Sequence, residues 1–183
     1  TEVDPLRALE AVMDGYRVMP MAEAAKVADI LVTVTGGLHV LGESALANLK
    51  SGAILANSGH FNDEIDIPAL EAMSASRRQV RQYVEEFEQE DGRRVYLVAD
   101  GRLVNLSAAE GHPASVMDMS FANQALAVEW VLRNHRDIEP KVYNVPEEID
   151  SEVARLKLDS LGIRIDSLSA EQSAYNADWR SGT

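Results

Sequence analysis

Residues 30–35, Ile-Leu-Val-Thr-Val-Thr, limit the possible folds more than any other segment, because every position is apolar or β-branched and the run ends in Gly36 and Gly37. β-branched residues favour strands. A strand without apolar and polar alternation is typical of a parallel sheet in which both faces are buried. Residues 53–57, Ala-Ile-Leu-Ala-Asn, form a second such run ahead of Gly59. Both are predicted to be buried parallel strands.

Helical segments separate these strands. The segment 4–14 starts with an N-cap Asp followed by Pro, and Gly15 ends it. Other predicted helices span residues 21–28, 42–49, 67–73, 119–134 and 146–161, and other predicted strands span 16–19, 79–87 and 93–98. The alternation predicts an α/β fold with a doubly wound parallel sheet, followed by C-terminal helices and a tail over about the last fifteen residues.

The first four residues resemble the end of a strand, and no initiator Met precedes them. A sheet that opens at the end of a strand is expected to lack an N-terminal portion. We therefore expect a domain that is incomplete at its N-terminus.

Charge and cysteine content exclude several functional classes. Lys and Arg number 17 against 30 Asp and Glu, a formal net charge of −13, which repels phosphate backbones and anionic lipids. Cysteine is absent, which removes disulfides and Cys-ligated metals. No apolar run approaches the roughly 20 residues that span a bilayer. We expect a cytoplasmic protein with neither a nucleic-acid nor a membrane partner.

Polar residues follow the first strands, where open parallel sheets bind ligands. Glu2 could accept hydrogen bonds from a ribose diol, although Asp4 nearby is explained equally well as a helix cap. Thr35 and Gly36 could let the backbone approach a flat ligand, or form a plain tight turn.

The segment 57–61 at the end of the second strand holds the amide of Asn57, then Ser58, Gly59, His60 and Phe61. It combines hydrogen-bond donors and an acceptor with an imidazole, and histidine is the residue type that commonly exchanges protons near neutral pH. His60 is therefore a candidate general acid or base, and the alternative is a solvated loop histidine.

Asn105 and His112 form a second polar cluster. Asn105 could pair with a carboxamide or a sugar hydroxyl, or could close an Asx turn. Pro113 restricts the backbone of His112 and so places it on a rigid loop. No His, Asp or Glu spacing predicts a metal site, and neither G-x-S-x-G nor a Walker loop occurs.

Several stretches together closely resemble the C-terminal portion of the S-adenosyl-L-homocysteine hydrolase family. They keep their order and cover nearly the whole chain. The stretches are residues 1–5, 7–11, 32–36, 52–61, 64–66, 101–106, 111–113, 117–124 and 143–146.

The resemblance implies a homotetrameric cytoplasmic enzyme of the methyl cycle in one-carbon metabolism, with tightly bound NAD. Such an enzyme splits S-adenosylhomocysteine reversibly into adenosine and homocysteine. NAD oxidises the ribose 3′-hydroxyl to a ketone, and the ketone acidifies the neighbouring 4′ hydrogen. Homocysteine then leaves by elimination, water adds and the stored hydride returns. Residues 1–110 would be a partial Rossmann-type NAD-binding domain with the return into the substrate domain. Residues 111–183 would form C-terminal helices and a dimerisation or tail segment.

The same resemblance assigns positions to the cofactor. Seven would hold NAD: Glu2 at the adenosine ribose, Thr35 and Gly36 along the dinucleotide, Ser58, Gly59 and His60 beside the nicotinamide, and Asn105 at its carboxamide.

Further positions would serve the substrate. His60 would also belong to the acid/base apparatus. Phe61 and His112 would gate the substrate channel, and Met117 and Phe121 would line the nucleoside pocket.

The sequence also departs from the family pattern. The G-x-G-x-x-G pyrophosphate loop and the substrate-domain Asp, Glu, Lys and Asn groups are not in this chain, so we expect the 183 residues alone to be inactive. Arg7 stands where many relatives have another residue, and residues 178–183 lack the tail Lys and Tyr that reach a neighbouring NAD.

Two alternatives stay open. A 2-hydroxy acid dehydrogenase would need an Arg and a His–carboxylate pair on other loops, which we do not find. A non-catalytic regulatory relative should lose site residues, yet His60, Asn105 and His112 remain.

Overall fold

The computed structural model describes residues 1–178, which divide into two compact units. The first spans Thr1–Gly111 and the second begins at His112. Each unit is described by itself.

A mixed five-stranded sheet forms the centre of the first unit, in the order β1-β2-β5-β4-β3. The strands are β1 (Ile30–Thr33), β2 (Ile54–Asn57), β3 (Ser74–Arg81), β4 (Val84–Gln89) and β5 (Arg94–Val98). β1, β2 and β5 are parallel, whereas β4 pairs antiparallel with both β5 and β3. The predicted α/β class is confirmed, but the parallel part of the sheet is limited to three strands.

In residues 1–111, five short helices accompany the sheet: two precede β1, one lies between β1 and β2, one between β2 and β3, and one follows β5. They are α1 (Pro5–Met13), α2 (Met21–Val27), α3 (Glu43–Leu46), α4 (Ile67–Ala72) and α5 (Val104–Ser107). The predicted cap of α1 is confirmed, because the Asp4 carboxylate accepts from the amides of Leu6 at 2.8 Å and Arg7 at 3.1 Å. The core joins helix and loop residues to strand residues, namely Ala25, Leu46, Leu49, Leu70, Leu31, Leu55, Phe87, Val95 and Leu97.

β1 is buried on one face only, so the prediction of a strand covered on both faces is wrong. Leu31 and Thr33 are buried, whereas Ile30 is 61% and Val32 53% exposed. The core cluster lies on the Leu31 face. Within the described part of the first unit, no element buries the Ile30 face.

Two strand predictions also fail. Residues 79–87 do not form one strand, because the chain reverses after Arg81 and begins β4 at Val84. Tyr83 adopts φ +62 in this turn, and no Gly, Pro or Asn marks the turn in the sequence. Residues 16–19 form no strand. β1 is an edge strand that pairs only with β2 among the described residues, so the segment 16–19 adds no strand beside it.

The second unit contains α6 (Ala114–Asn134), α7 (Glu147–Ser160) and α8 (Ala170–Ala177). α6 and α7 pack together and bury Val153. α6 starts five residues before the predicted 119. No helix within residues 1–178 is long and apolar enough to cross a membrane.

The predicted tail contains a helix, α8, which buries none of its residues. Ser169 and Gln172 form a capping box that starts this helix. The rest of the predicted tail, residues 179–183 with Trp179, lies outside the described residues.

Candidate functional site

Loops at the carboxyl ends of the three parallel strands lie at one edge of the sheet. They are a first loop, residues 34–37 after β1, a second loop, residues 58–61 after β2, and a third loop, residues 99–105 after β5. The Ser58 amide donates to the Thr33 carbonyl at 2.8 Å, and Asn57 forms a parallel bridge with Leu103. These contacts tie the start of the second loop to the other two strand ends.

Asn57, the last residue of β2, is fully buried and connects the loops through its side chain. Its Oδ1 accepts from the Thr33 hydroxyl at 3.1 Å and from the Gly59 amide at 2.6 Å. Its Nδ2 donates to the carbonyls of Phe61 at 2.7 Å and Gly101 at 2.8 Å. All four hydrogen-bonding positions of the amide are used, so this side chain fixes the second loop against the third.

Glu64 is a buried carboxylate beneath the first loop, only 1% exposed. It ends a short 3-10 turn, Asn62–Glu64. Its oxygens accept from the Thr35 amide, the Thr35 hydroxyl and the Gly36 amide, each at 2.8 Å. Burial acts to raise the pKa of Glu64, but the hydrogen bonds from Thr35 and Gly36 outweigh it and lower that pKa.

Our sequence analysis did not identify Glu64 as a functional residue, and it noted Asn57 only as an amide at the end of the second strand, without its partners. A buried acid and a buried amide carry no local pattern, and their partners lie up to 29 and 44 residues away along the chain. The only sequence signal at Glu64 was its place in the matched stretch 64–66.

Gly59 is required where the second loop passes these two side chains. A Cβ at Gly59 would overlap the Glu64 carboxylate and come within 2.9 Å of Asn57 Oδ1. The predicted site glycine therefore has a packing role that its sequence position alone does not reveal.

Glu2 and Thr35 lie together in a cleft of about 840 Å³. Its other lining residues are mainly apolar and include Val18, Met19 and Leu38. Gly36 follows Thr35 with φ +70 and open space where a Cβ would be. The structure thus brings the predicted ribose residue and the first loop into one cleft, although His60 and Asn105 are not among the lining residues.

The Glu2 carboxylate is held by the backbone amides of the two residues that follow it. Its Oε1 accepts from the amides of Asp4 at 3.0 Å and Val3 at 2.7 Å, and these bonds, Asp4 first, lower the pKa of Glu2. Its Oε2 has no hydrogen-bond partner within residues 1–178. This ionised, exposed oxygen of Glu2 can therefore accept hydrogen bonds from a pair of hydroxyl groups.

His60 and Phe61 are exposed on the second loop. Their rings meet edge to face with centroids 4.7 Å apart, and Phe61 is 68% exposed. No hydrogen bond holds the His60 imidazole in the part of the chain that the structure describes. The imidazole is therefore accessible to a proton donor or acceptor.

Asn105, in α5, has a buried side-chain Oδ1 without a hydrogen-bond partner. Its backbone carbonyl accepts from the Gly111 amide at 2.8 Å. An Asx turn would use Oδ1, so that alternative is wrong. A buried acceptor without a donor costs free energy unless another molecule supplies one, and a carboxamide N–H fits this requirement.

The remaining predicted residues lie in the second unit. His112 is exposed immediately before α6. Met117 and Phe121 are four residues apart in α6, so they share one helix face, and Phe121 is 58% exposed. No group of three His, Asp or Glu side chains within residues 1–178 could hold a metal ion.

Comparison with known proteins gives consistent matches. The family described as "S-adenosyl-L-homocysteine hydrolase, NAD binding domain" matches residues 1–111. Proteins named "Adenosylhomocysteinase" from Aquifex aeolicus, Saccharolobus solfataricus and Archaeoglobus fulgidus are 61%, 59% and 58% identical over all 183 residues. The chain spans 44% of the first two relatives and 45% of the third.

Proposed function

The chain belongs to the S-adenosyl-L-homocysteine hydrolase family and carries its NAD-binding domain, with NAD as the cofactor, and from this premise we propose the reaction of the full-length protein. That protein catalyses the reversible, NAD-dependent hydrolysis of S-adenosyl-L-homocysteine to adenosine and L-homocysteine. The relatives' shared name supports this activity.

Asn105 carries the proposal that NAD binds at this edge of the sheet. Its buried, unpartnered Oδ1 accepts from the nicotinamide carboxamide and so fixes the orientation of the ring. NAD would supply, when bound, a hydride acceptor for C3′ of the nucleoside as its 3′-hydroxyl is oxidised. Ser58 and Gly59 flank the nicotinamide through the second loop.

The adenosine end of NAD belongs in the cleft that holds Glu2 and Thr35. Glu2 accepts from the ribose hydroxyls through Oε2, because Oε1 is already occupied by the amides of Val3 and Asp4. Thr35 and Gly36 line the dinucleotide, and the open space at Gly36 permits close approach.

His60 is the proposed proton-transfer residue. Its exposed imidazole follows Gly59 at the nicotinamide end of the site, where it moves a proton to or from the substrate. Phe61 and His112 gate the entry of substrate, and Met117 and Phe121 line the nucleoside pocket.

The wider assignments rest on the family alone. The protein is proposed to be a homotetramer that acts in the cytoplasm within the methyl cycle. Residues 1–110 form part of the NAD-binding domain with the return into the substrate domain, and residues 111–183 supply C-terminal helices and a dimerisation or tail segment. The 183-residue chain alone is proposed to be inactive, since it contains no G-x-G-x-x-G loop for the pyrophosphate.

Asn105→Ala in the full-length protein tests the site. We expect roughly tenfold or greater weakening of NAD binding, because a hydrogen-bonded amide is removed from a buried position. Bound NAD is measured by fluorescence titration, and homocysteine release by thiol titration. Asn48→Ala is the control and should behave as wild type, because among residues 1–178 the Asn48 amide donates only to the Ser44 carbonyl.

Two results would contradict the proposed function. Equal NAD affinity in both variants would remove Asn105 from the site. Wild-type protein that reduces a 2-oxo acid with NADH and releases no thiol from S-adenosylhomocysteine would favour the dehydrogenase alternative.

A further inference from the structure

We propose that Glu64 is a positioning residue for NAD, one that holds the first loop in its nucleotide-binding conformation. The inference rests on the NAD site proposed above and adds a residue that does not itself contact the dinucleotide. The observation that carries it is the buried carboxylate with three donors, all on Thr35 and Gly36.

The charge of Glu64 is compensated by the first loop. Glu64 makes no ion pair within residues 1–178, although its side chain is buried. A buried carboxylate is costly unless hydrogen-bond donors replace its water shell. Here two backbone amides and one hydroxyl do so, and each of them belongs to a residue that we assign to the dinucleotide. The carboxylate and the loop conformation therefore stabilise each other.

Glu64 also touches the second loop. Its carboxylate fills the space where Gly59 has no Cβ, and the Gly59 amide donates to Asn57 Oδ1 at 2.6 Å. One side chain thus fixes the first loop against the second. These loops carry the residues assigned to the dinucleotide and to the nicotinamide, so Glu64 contacts both parts of the proposed NAD site.

The test uses Glu64→Gln in the full-length protein. Gln has the same shape, but its NH₂ group would face a donor of the first loop, and the net charge is gone. We expect NAD to dissociate roughly tenfold faster, the size of one lost charge-assisted hydrogen bond. We also expect faster amide hydrogen exchange at Thr35 and Gly36 in the nucleotide-free protein, with unchanged exchange in β5.

Asp63→Asn is the matched control. Asp63 is the adjacent residue and is exposed, so this variant makes the same charge change outside the hydrogen-bonded cluster. It should keep the wild-type NAD dissociation rate and the wild-type exchange at Thr35 and Gly36.

A purely structural role predicts a different result. Faster exchange spread evenly over β2 and β5, with NAD dissociation unchanged, would overturn the inference. So would identical behaviour of Glu64→Gln and Asp63→Asn.

Glu64→Asp covers the case in which Glu64→Gln does not fold. It keeps the charge but draws the carboxylate back by one methylene, and it should also speed exchange at Thr35 and Gly36 and NAD dissociation. Failure of both variants to fold would make Glu64 a stability residue and overturn the inference. If wild-type protein binds no NAD, the proposed function fails, whereas the exchange measurement still decides whether Glu64 holds the loop.

Discussion

The carboxyl edge of the parallel strands and the β3–β4 hairpin both depend on polar side chains, but they use them in opposite ways. At the parallel edge, buried Asn57 and Glu64 bond mainly to backbone groups of other loops. In the hairpin, Arg77 pairs at the surface with Glu71, Glu85 and Asp100.

The difference shows where polar groups fix geometry. When a buried side chain loses a backbone partner, a buried polar group is left without a hydrogen bond. An exposed ion pair exchanges one partner for water and salt at little cost. We therefore expect substitutions at the parallel edge to have larger effects than those in the hairpin.

Asn57→Ala should produce the largest loss of stability, about 4 kcal/mol. The Thr33 hydroxyl, the Gly59 amide and the carbonyls of Phe61 and Gly101 would all lose their partner, and each unsatisfied buried group costs about 1–3 kcal/mol before relaxation. Native-state hydrogen exchange of β2 amides in the full-length protein measures this loss.

Asn48→Ala is the control for Asn57→Ala, because the Asn48 side chain forms one hydrogen bond in the described part of the chain, to the Ser44 carbonyl. A similar loss in both variants would show that the parallel edge has no special dependence on its buried amide.

Gly59→Ala should destabilise the parallel edge by about 2 kcal/mol, because the new methyl group overlaps the Glu64 carboxylate. A double-mutant cycle with Glu64→Ala, followed by hydrogen exchange, identifies the cause. The Gly59→Ala effect should shrink in the Glu64→Ala background, and an unchanged effect would assign the cost to other contacts.

Acid should selectively weaken the parallel edge through Glu64. Since folding lowers the pKa of this carboxyl, its contribution is fully present above the unfolded-state pKa and is lost as pH falls through the folded-state value. The stability difference between wild type and Glu64→Gln should therefore be constant near neutral pH and shrink progressively as pH falls below the ordinary carboxyl pKa of 4.5.

Hydrogen exchange of β2 amides at several pH values, in wild type and Glu64→Gln, provides that measurement. A difference that stays constant with pH would contradict an ionised Glu64 at this position.

Arg77→Met should have the smallest effect, about 0.5–1 kcal/mol at low salt. Arg77 is 36% exposed and stacks 5.2 Å from the Phe87 ring centroid, so Met keeps much of the stem packing. Raising the salt concentration should reduce the effect further.

Arg81→Met is the control for Arg77→Met, since Arg81 lies on the same strand and forms no ion pair in the described part of the chain. Exchange of β4 amides measures both variants. An Arg77→Met effect as large as that of Asn57→Ala would erase the contrast between the two regions.

Local features of the fold were predictable. The Asp4 cap, the apolar strands 30–35 and 53–57, and the helix that ends before Gly162 depend on residues close together in sequence, and the structure has an element at each. The missed hairpin turn at Tyr83 has no Gly or Pro signal. The sequence signal for α8 is the capping box of Ser169 and Gln172. The prediction did not use it, because that segment has only a weak pattern of core residues.

The candidate site was predictable only in part. Thr35 and Gly59 could be found because they follow recognisable buried strands. The roles of Glu64 and Asn57 could not, because each depends on partners that only folding brings near.

The sequence by itself determined the helix caps, two apolar strands, the positions of the polar loops and the resemblance to a family. These are set by neighbours within a few residues, whose conformational preferences are local. Only the tertiary structure decided that one carboxylate and one amide would join three loops, and that β4 would run antiparallel to both of its neighbours, β5 and β3. Both outcomes require contacts between distant residues, whose energies appear only when the intervening chain has folded.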